Sequence, residues 1–293
     1  MTATSWKRLI RFVAENGKIY LGEPIAPLSE DIGESYKLGK TLKARVIEGN
    51  IFTEAVVTDK VLTVKKLLGP LTEADVPIVK CVGLNYMKHI LEAKRTPPPY
   101  PSIFYKPRAA IAYFDEAIPA PKIVQNDQLD YEGELCVVIG KTGKDIKKED
   151  ALDYVLGYTS GNDVSARTWQ RNPAFAGNVP QWCFSKSFDR WAPLGPALVS
   201  SSVIQNPGKL DLKTFVNGEL RQTTNTDDLI FNVQEIIAFV SQGTTLEAGT
   251  VIMSGTPGGV GISAGNSRPL KNGDEVKVFV EQIGTLYNTM RYE

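Results

Sequence analysis

Apolar residues along this chain fall mainly in short runs and alternating patterns, both of which predict β-strands. The alternation is clearest over residues 276–280, and a continuous apolar run occupies residues 135–139, as expected for a strand buried on both faces. Asn217-Gly218 between two extended segments predicts a β-hairpin. Residues 229–242 carry the clearest helical spacing, and we expect a helix there that is capped by the aspartates just before it. The pattern therefore predicts a mixed α/β protein that is predominantly β.

The first 75 residues are predicted to form a small domain of their own. They hold short strand candidates, at residues 41–47 and 51–52, separated by Gly, Pro and acidic turns. Turn residues at 15–17 predict an N-terminal hairpin, although the basic, hydroxyl-rich start faintly resembles a mitochondrial presequence. We expect a small α+β domain over residues 1–75 and a catalytic domain over residues 76–293.

The charge balance argues against a nucleic-acid or membrane partner. The 33 basic and 33 acidic residues cancel, and charged residues make up 23% of the chain, so there is no global field to attract a polyanion. No run approaches the roughly 20 apolar residues that would span a bilayer. Three cysteines without a Cys-x-x-Cys pair favour the cell interior over a disulfide framework. We expect a soluble, cytoplasmic protein, with mitochondria as the alternative, whose partners are small molecules or copies of itself.

Three acidic residues near the middle of the chain form a candidate metal site. Glu132 and Glu134 are two positions apart at the start of an apolar strand, so both carboxylates project from one sheet face and repel each other unless a cation lies between them. Asp163 follows the next apolar strand, where strand pairing would bring it beside the glutamates. Such ligands favour Mg²⁺ or Mn²⁺, with Ca²⁺ a weaker candidate. The alternative is an edge strand whose acids face water.

His89 is the only histidine of the chain, and Glu92 follows it three positions later. On a helical turn these two side chains share a face, so Glu92 would hold the imidazole in one tautomer and raise its basicity. Such a pair is suited to proton transfer. A chance pairing on a helix surface is the competing interpretation.

Further candidates follow the acidic residues along the chain. Arg167, Gln170 and Lys186 offer donors for the carboxylate of a keto acid, although each would also suit an ordinary protein surface. The glycine-rich segment 254–261 would let backbone amides turn inward as an anion-binding nest, with the Thr256 hydroxyl as an extra donor. It lacks the ending of a P-loop and the spacing of a dinucleotide fingerprint, and a plain tight loop is the alternative.

Five segments, taken in order, resemble the fumarylacetoacetate hydrolase family. They are Gly83-x-Asn85-Tyr86-x-x-His89-x-x-Glu92, Tyr131-Glu132-x-Glu134-Leu135-x-Val137-Val138-Ile139-Gly140, Asn162-Asp163-Val164-Ser165-Ala166-Arg167, Lys186-Ser187-Phe188-Asp189 and Gly255-Thr256-Pro257-x-Gly259-Val260-Gly261. The resemblance runs from about residue 78 to the C-terminus and is nearest to the short fungal and animal members, including oxaloacetate-handling enzymes. It implies a β-sandwich or roll around the metal site, usually in a homodimer.

The resemblance also implies a role for each candidate residue. The metal ligands would be Glu132, Glu134 and Asp163, the catalytic residues His89, Glu92 and Lys186, and the substrate-binding residues Tyr86, Arg167, Gln170 and Thr256. The substrate would be a 1,3-dicarbonyl or β-keto acid, bound to the metal through its carboxylate and 2-keto oxygen.

Two reactions that break a C–C bond suit these residues. The metal would act as a Lewis acid and stabilise the enolate that forms. With His89 activating water, the outcome is hydrolysis of an acylpyruvate; without water attack, it is decarboxylation of oxaloacetate. A keto–enol tautomerase that uses the same residues is the main alternative, and a non-catalytic metabolite-binding protein is the third.

Overall fold

The computed structural model describes residues 4–92, 96–263 and 266–293, with the backbone but not the side chains of Glu92 and Asn266. The strands are β1 (Arg8–Ala14), β2 (Ile19–Pro24), β3 (Lys43–Asn50), β4 (Glu54–Leu68), β5 (Val79–Gly83), β6 (Ser102–Lys106), β7 (Ile111–Ala112), β8 (Ala117–Ala120), β9 (Leu129–Asp130), β10 (Gly133–Ile139), β11 (Val155–Asn162), β12 (Ser165–Ala166), β13 (Ala192–Ser200), β14 (Asp211–Val216), β15 (Glu219–Asn225), β16 (Val251–Met253), β17 (Ile262–Ser263), β18 (Asn266–Ser267), β19 (Glu275–Val280) and β20 (Gly284–Tyr292). The helices are α1 (Ile32–Lys37), α2 (Met87–Glu92), α3 (Arg167–Arg171), α4 (Pro173–Ala176), α5 (Trp182–Lys186) and α6 (Val233–Val240). None of the helices in these ranges is long and apolar enough to cross a membrane.

Within these ranges, the strands form an eleven-stranded sheet, a five-stranded sheet and two short pairs. The large sheet runs β2-β3-β4-β1-β13-β11-β10-β16-β5-β6, with β7 beside β13, and the small sheet runs β15-β14-β19-β20-β8. Most neighbours are antiparallel, whereas β5 and β16, β7 and β13, and β8 and β20 are parallel. The predicted mixed α/β, predominantly β fold class is confirmed.

The first four strands pair with one another in a closed cycle, since β1 contacts both β2 and β4. The predicted hairpin at the N-terminus is β1 and β2. β1 also pairs with β13 of the large sheet through Arg8 and Leu9. The division of the chain at residue 75 stays a prediction.

Both faces of β10 are buried, which explains its continuous apolar run. Leu135 and Val137 share a core with Leu212 and Val280 of the small sheet, so the two sheets pack against each other here. Cys136, which points the other way, belongs to a separate core on the opposite face. Fully burying one such aliphatic side chain stabilises the fold by about 1.5–3 kcal/mol. β10 lies between β11 and β16, and the alternative of an edge strand with solvated acids is therefore wrong.

Helix α6 begins later than its apolar spacing predicts. Asn232 accepts a hydrogen bond from the Glu235 amide, and the Glu235 side chain accepts one from the Asn232 amide, so this capping box starts the helix at Val233. The predicted caps at 227 and 228 are wrong because these aspartates lie in a separate 3₁₀ turn. The hairpin predicted from Asn217-Gly218 is confirmed as β14 and β15.

Candidate active site

Strand pairing brings three acidic side chains together at one end of β10 and β11. The strands are antiparallel and Gly133 lies opposite Asn162, so the residues just outside this pair, Glu132 and Asp163, are neighbours. The Asp163 amide donates to the Glu132 carbonyl oxygen over 2.8 Å. One carboxylate oxygen from each of these acids and from Glu134 lies within 4.8 Å of the others, and all three residues are buried. The predicted juxtaposition is present, while metal binding by these acids stays a prediction.

Among the described residues, three basic side chains surround these acids. Lys186, at the end of α5, places its Nζ atom 2.7 Å from Glu132 Oε2 and 2.6 Å from Asp163 Oδ2. Lys106, at the end of β6, contacts the other Asp163 oxygen over 2.6 Å. Arg167, at the start of α3, places Nη1 2.6 Å from Glu132 Oε1. These ion pairs are almost completely shielded from water, so they are strong and costly to break.

Another buried acid, Asp130, connects Arg167 to the segment after β16. Its Oδ2 atom accepts a hydrogen bond from Arg167 Nε over 2.7 Å. The backbone amides of Gly261 and Ile262 donate to its Oδ1 and Oδ2 atoms over 2.7 and 3.1 Å. A Cβ atom on Gly261 would lie 2.8 Å from Asp130 Oδ1, so this close approach requires glycine. Asp130 therefore fixes the direction of the Arg167 side chain.

The glycine-rich segment 254–261 does turn amides inward, but toward carboxylates of the protein itself. The Gly255 amide donates to Glu134 Oε2 over 2.7 Å, and φ of Gly255 is 110°, a conformation that favours glycine. The Thr256 hydroxyl donates to the Gly133 carbonyl oxygen over 3.0 Å. The segment therefore orients the acidic cluster through these two donors, and binding of an external anion by the segment stays a prediction.

Most of the predicted site residues line one cavity of about 430 Å³. They are His89, Glu132, Arg167, Gln170, Lys186 and Thr256. Tyr86 is completely buried and does not line this cavity, so the geometry gives no support to its predicted contact with substrate. The Glu92 side chain lies outside the described residues, and its pairing with His89 stays a prediction.

The position of His89 follows from the way α2 is anchored. The Asn85 side chain donates to the carbonyl oxygens of Phe231 and Ser254 over 3.0 and 2.7 Å, which holds the start of the helix against the body of the protein. Ile90 packs inward and is 1% exposed. His89, one position earlier, is half-buried and faces the cavity.

Sequence comparison identifies the family to which these residues belong. The family described as fumarylacetoacetate (FAA) hydrolase C-terminal matches residues 78–291. The chain belongs to the fumarylacetoacetate hydrolase family. The resemblance of the five segments is confirmed, and the chain is an enzyme of a divalent-metal-dependent family.

Relatives in this family carry several enzyme names. The caffeoylpyruvate hydrolase of Neonothopanus nambi is 41% identical over 299 residues, which cover 99% of this chain and 95% of that protein. The mitochondrial oxaloacetate tautomerase of Xenopus laevis is 41% identical over 222 residues, covering 76% of this chain and 67% of that protein. The crystal structure of 2-hydroxyhepta-2,4-diene-1,7-dioate isomerase from Mycobacterium marinum is 32% identical, has a TM-score of 0.78, and covers 98% of this chain and 99% of that chain.

The charges of the buried cluster fit the divalent metal of the family. Its described members are the acids Asp130, Glu132, Glu134 and Asp163 and the bases Lys106, Arg167 and Lys186. With all seven groups ionised, one negative charge would be left over, and Glu134 is the acid that forms no ion pair with these three bases. Burial raises the pKa of Glu134 well above its ordinary value, and repulsion by Asp163 and Glu132 raises it further. A dication held by Glu132, Glu134 and Asp163 would let Glu134 ionise and change the net charge of the fully ionised cluster from −1 to +1, which an anionic substrate would offset.

Glu132 and Lys186, by contrast, remain charged. Burial alone would raise the pKa of Glu132, but Lys186 and Arg167 outweigh it and hold this pKa well below its usual range. Burial alone would lower the pKa of Lys186, but Asp163 and Glu132 outweigh it, and the pKa is raised. Lys186 is therefore an ammonium donor at neutral pH.

Sequence reasoning missed two members of this cluster. Lys106 ends an ordinary strand, and its sequence gives no signal of burial, because its partners Asp163, Val164 and Trp191 lie far along the chain. Asp130 lies two residues before Glu132, so its position in the sequence pointed to the acidic cluster. Its partners Arg167 and Gly261, however, are far along the chain.

Proposed function

We propose that this protein hydrolyses the C–C bond of an acylpyruvate with the help of a divalent cation, Mg²⁺ or Mn²⁺. The observation that carries the proposal is that His89, Lys186, Arg167 and Gln170 meet Glu132 in one cavity of about 430 Å³. A base, donors for a carboxylate and a buried acidic cluster are the parts that cleavage of a 1,3-dicarbonyl acid requires. The name of the Neonothopanus relative, which matches nearly the whole chain, supports hydrolysis.

Each side chain of the site has a distinct role in this proposal. When bound, the cation would supply Lewis-acid stabilisation of negative charge on the substrate oxygens. Arg167 and Gln170 bind the substrate carboxylate as planar donors. Lys186 stays protonated because its pKa is raised, so it donates hydrogen bonds and does not act as the base. His89 takes a proton from water at an imidazole nitrogen.

The reaction then balances without any further reagent. The water oxygen attacks the acyl carbonyl carbon, and the bond between this carbon and C3 of the pyruvate unit breaks. The electron pair goes to C3, which is protonated to give pyruvate, and the acyl fragment leaves as a carboxylic acid. Oxaloacetate decarboxylation would differ in that CO₂ leaves and no water attacks.

Oxaloacetate tautomerisation is the second candidate, and the name of the Xenopus relative favours it. In that reaction His89 would move a proton between C3 and the enol oxygen, and no C–C bond would break. The donors for the carboxylate would be the same, because both substrates carry the same 2-keto acid group.

A substrate panel with Mg²⁺ or Mn²⁺ tests the proposal. Acetylpyruvate should give pyruvate and acetate in equal amounts, measured by a coupled lactate dehydrogenase assay and by chromatography. Loss of the enol absorbance of oxaloacetate, with total oxaloacetate unchanged and no acylpyruvate cleaved, would instead establish the tautomerase. The His89→Gln variant should keep Mn²⁺ binding in calorimetry and lose pyruvate formation; unchanged turnover would remove His89 from the mechanism.

The homodimer and the cytoplasmic compartment stay predictions. The name of the Xenopus relative places that protein in mitochondria, which keeps mitochondria as the alternative for this one. Sedimentation of the purified chain tests the dimer, and localisation of a tagged chain tests the compartment.

A further inference from the structure

We infer that the acyl group accepted by this cavity is aromatic, and that it binds along a wall formed by Phe104 and Trp182. The inference rests on the proposed acylpyruvate hydrolysis, which it deepens by naming the substrate class. In addition to the polar residues, the cavity has an apolar lining made of Val82, Leu84, Ile90, Phe104, Trp182 and Val260. A four-carbon acid such as oxaloacetate offers this lining nothing to bury, whereas an aromatic acyl group does.

The aromatic wall begins directly beside the polar end of the cavity. Lys186 Nζ, which contacts Glu132, lies 4.9 Å from the centre of the Phe104 ring. The Trp182 ring lies 5.4 Å from the Phe104 ring, nearly perpendicular to it at 87°. Phe104 is buried and therefore fixed, while Trp182 is half-buried and faces the cavity. The acyl carbon of an acylpyruvate is two bonds from the 2-keto carbon, so the acyl group starts where this wall starts.

The absence of a side chain at Gly83 leaves space for the Trp182 ring. A Cβ atom on Gly83, the last residue of β5, would lie 2.1 Å from Trp182 Cζ3 and 2.5 Å from Cη2. The indole ring therefore packs directly on the strand backbone, and only glycine allows this approach. An indole held in this way presents a rigid, preorganised surface to a flat ligand.

A carboxylate tail is the competing ligand, because Arg171 also lines the cavity. Its Nη2 atom already donates to the Ile262 carbonyl oxygen over 3.1 Å, and its Nε atom to Gln170 Oε1 over 3.3 Å. These bonds engage the guanidinium within the protein. Arg167 is engaged in the same way, so what favours the aromatic group is the space that Gly83 leaves for Trp182 beside Phe104.

Binding without turnover tests the wall by itself. Calorimetry of the metal-loaded protein compares phenylpyruvate with pyruvate, which share the keto-acid group and differ by one aromatic ring. The parent should bind phenylpyruvate about tenfold more tightly or better, since one aromatic contact is of that order. Trp182→Leu should lose most of this preference. Phe184→Leu is the matched control, because Phe184 lies on the same helix, is 45% exposed and does not line the cavity; it should keep the preference.

Turnover separates this inference from the proposed function. Benzoylpyruvate should be cleaved with a higher kcat/KM than acetylpyruvate or fumarylpyruvate, and Trp182→Leu should reduce the value for benzoylpyruvate about tenfold while changing that for acetylpyruvate little. Equal losses for both substrates, or a parent that prefers fumarylpyruvate, would overturn the inference. If no acylpyruvate is cleaved but the phenylpyruvate preference depends on Trp182, the proposed function fails and the aromatic site stands.

Discussion

The Glu134→Gln substitution should weaken divalent-metal binding without destabilising the metal-free protein. Glu134 is the acid in excess of the buried bases, and burial, together with its acidic neighbours, raises its pKa and favours the neutral form. A glutamine keeps the shape of the side chain and still accepts the 2.7 Å hydrogen bond from the Gly255 amide. The free energy of unfolding in the presence of chelator should therefore stay within about 1 kcal/mol of the parent value.

Glu132→Gln, the same substitution two residues earlier, is the matched comparison. Glu132 forms ion pairs with Lys186 at 2.7 Å and with Arg167 at 2.6 Å, and these pairs hold it in the ionised form. Glu132→Gln leaves both cations short of a buried negative charge. Removing one partner of a buried ion pair costs about 3–5 kcal/mol. For a protein of this length, that corresponds to a fall in melting temperature of roughly 5–10 °C.

The two glutamates should also affect the pH dependence in opposite directions. A folded-state pKa raised above the unfolded value of about 4.3, as for Glu134, contributes stability that is complete below that pH and is lost as the pH rises. The lowered pKa of Glu132 contributes stability above about pH 4.3 that is lost as the pH falls. Glu134→Gln should therefore flatten the loss of stability on the alkaline side, and Glu132→Gln the loss on the acidic side.

Urea unfolding in EDTA between about pH 2 and pH 8 measures both effects, and Mn²⁺ calorimetry of the same variants near neutral pH measures the metal affinity. The reasoning is refuted if Glu134→Gln costs as much stability as Glu132→Gln in chelator. It is also refuted if Glu134→Gln binds Mn²⁺ as tightly as the parent protein.

Three further predictions concern the rest of the site. Lys106→Met should lower the free energy of unfolding in urea by about 3–5 kcal/mol because it removes the cation 2.6 Å from buried Asp163. Lys148→Met, which breaks an exposed salt bridge, is the control and should not shift the urea midpoint. Equal shifts for the two variants would contradict the prediction. Asp130→Asn should raise KM for the keto acid more than it lowers kcat, because it releases Arg167. In an Arg167→Lys background, Asp130→Asn should raise KM little further, and additive losses would indicate a general structural role for Asp130. Dialysis against chelator should abolish turnover, and Mg²⁺ or Mn²⁺ should restore it better than Ca²⁺; activity that survives dialysis would contradict a metal-dependent site.

Local patterns predicted the parts of the fold that local forces decide. The hairpin at Asn217-Gly218 depends on two adjacent residues, and the strand over residues 135–139 depends on a contiguous apolar run. The start of α6 was misplaced because Asn232 and Glu235 form a capping box inside the apolar spacing, and the cap decides the boundary. An extended segment before a helix can pack its apolar residues on the same core, so apolar spacing alone does not show where the helix begins.

Residues that act through distant partners were beyond local patterns. Gly83 is recognisable in the sequence only as part of a family motif. In the structure it makes room for Trp182, which lies far along the chain. Lys106 has the sequence context of a surface lysine, but in the fold it contacts Asp163, Val164 and Trp191 in the interior. Such contacts follow from the sheet order, which a single sequence does not specify.

The sequence nevertheless contained a stronger argument for the acidic cluster than the spacing of Glu132 and Glu134. Residues 135–139 are apolar on both faces, so the strand had to be central, and acids at its entrance had to be buried. Buried carboxylates that close together must either be paired with cations or be protonated, because their charge cannot be left uncompensated in the interior. Lys186 meets this requirement for Glu132 and Asp163. The same requirement makes Glu134, the acid that exceeds the available bases, the one whose charge a metal would balance.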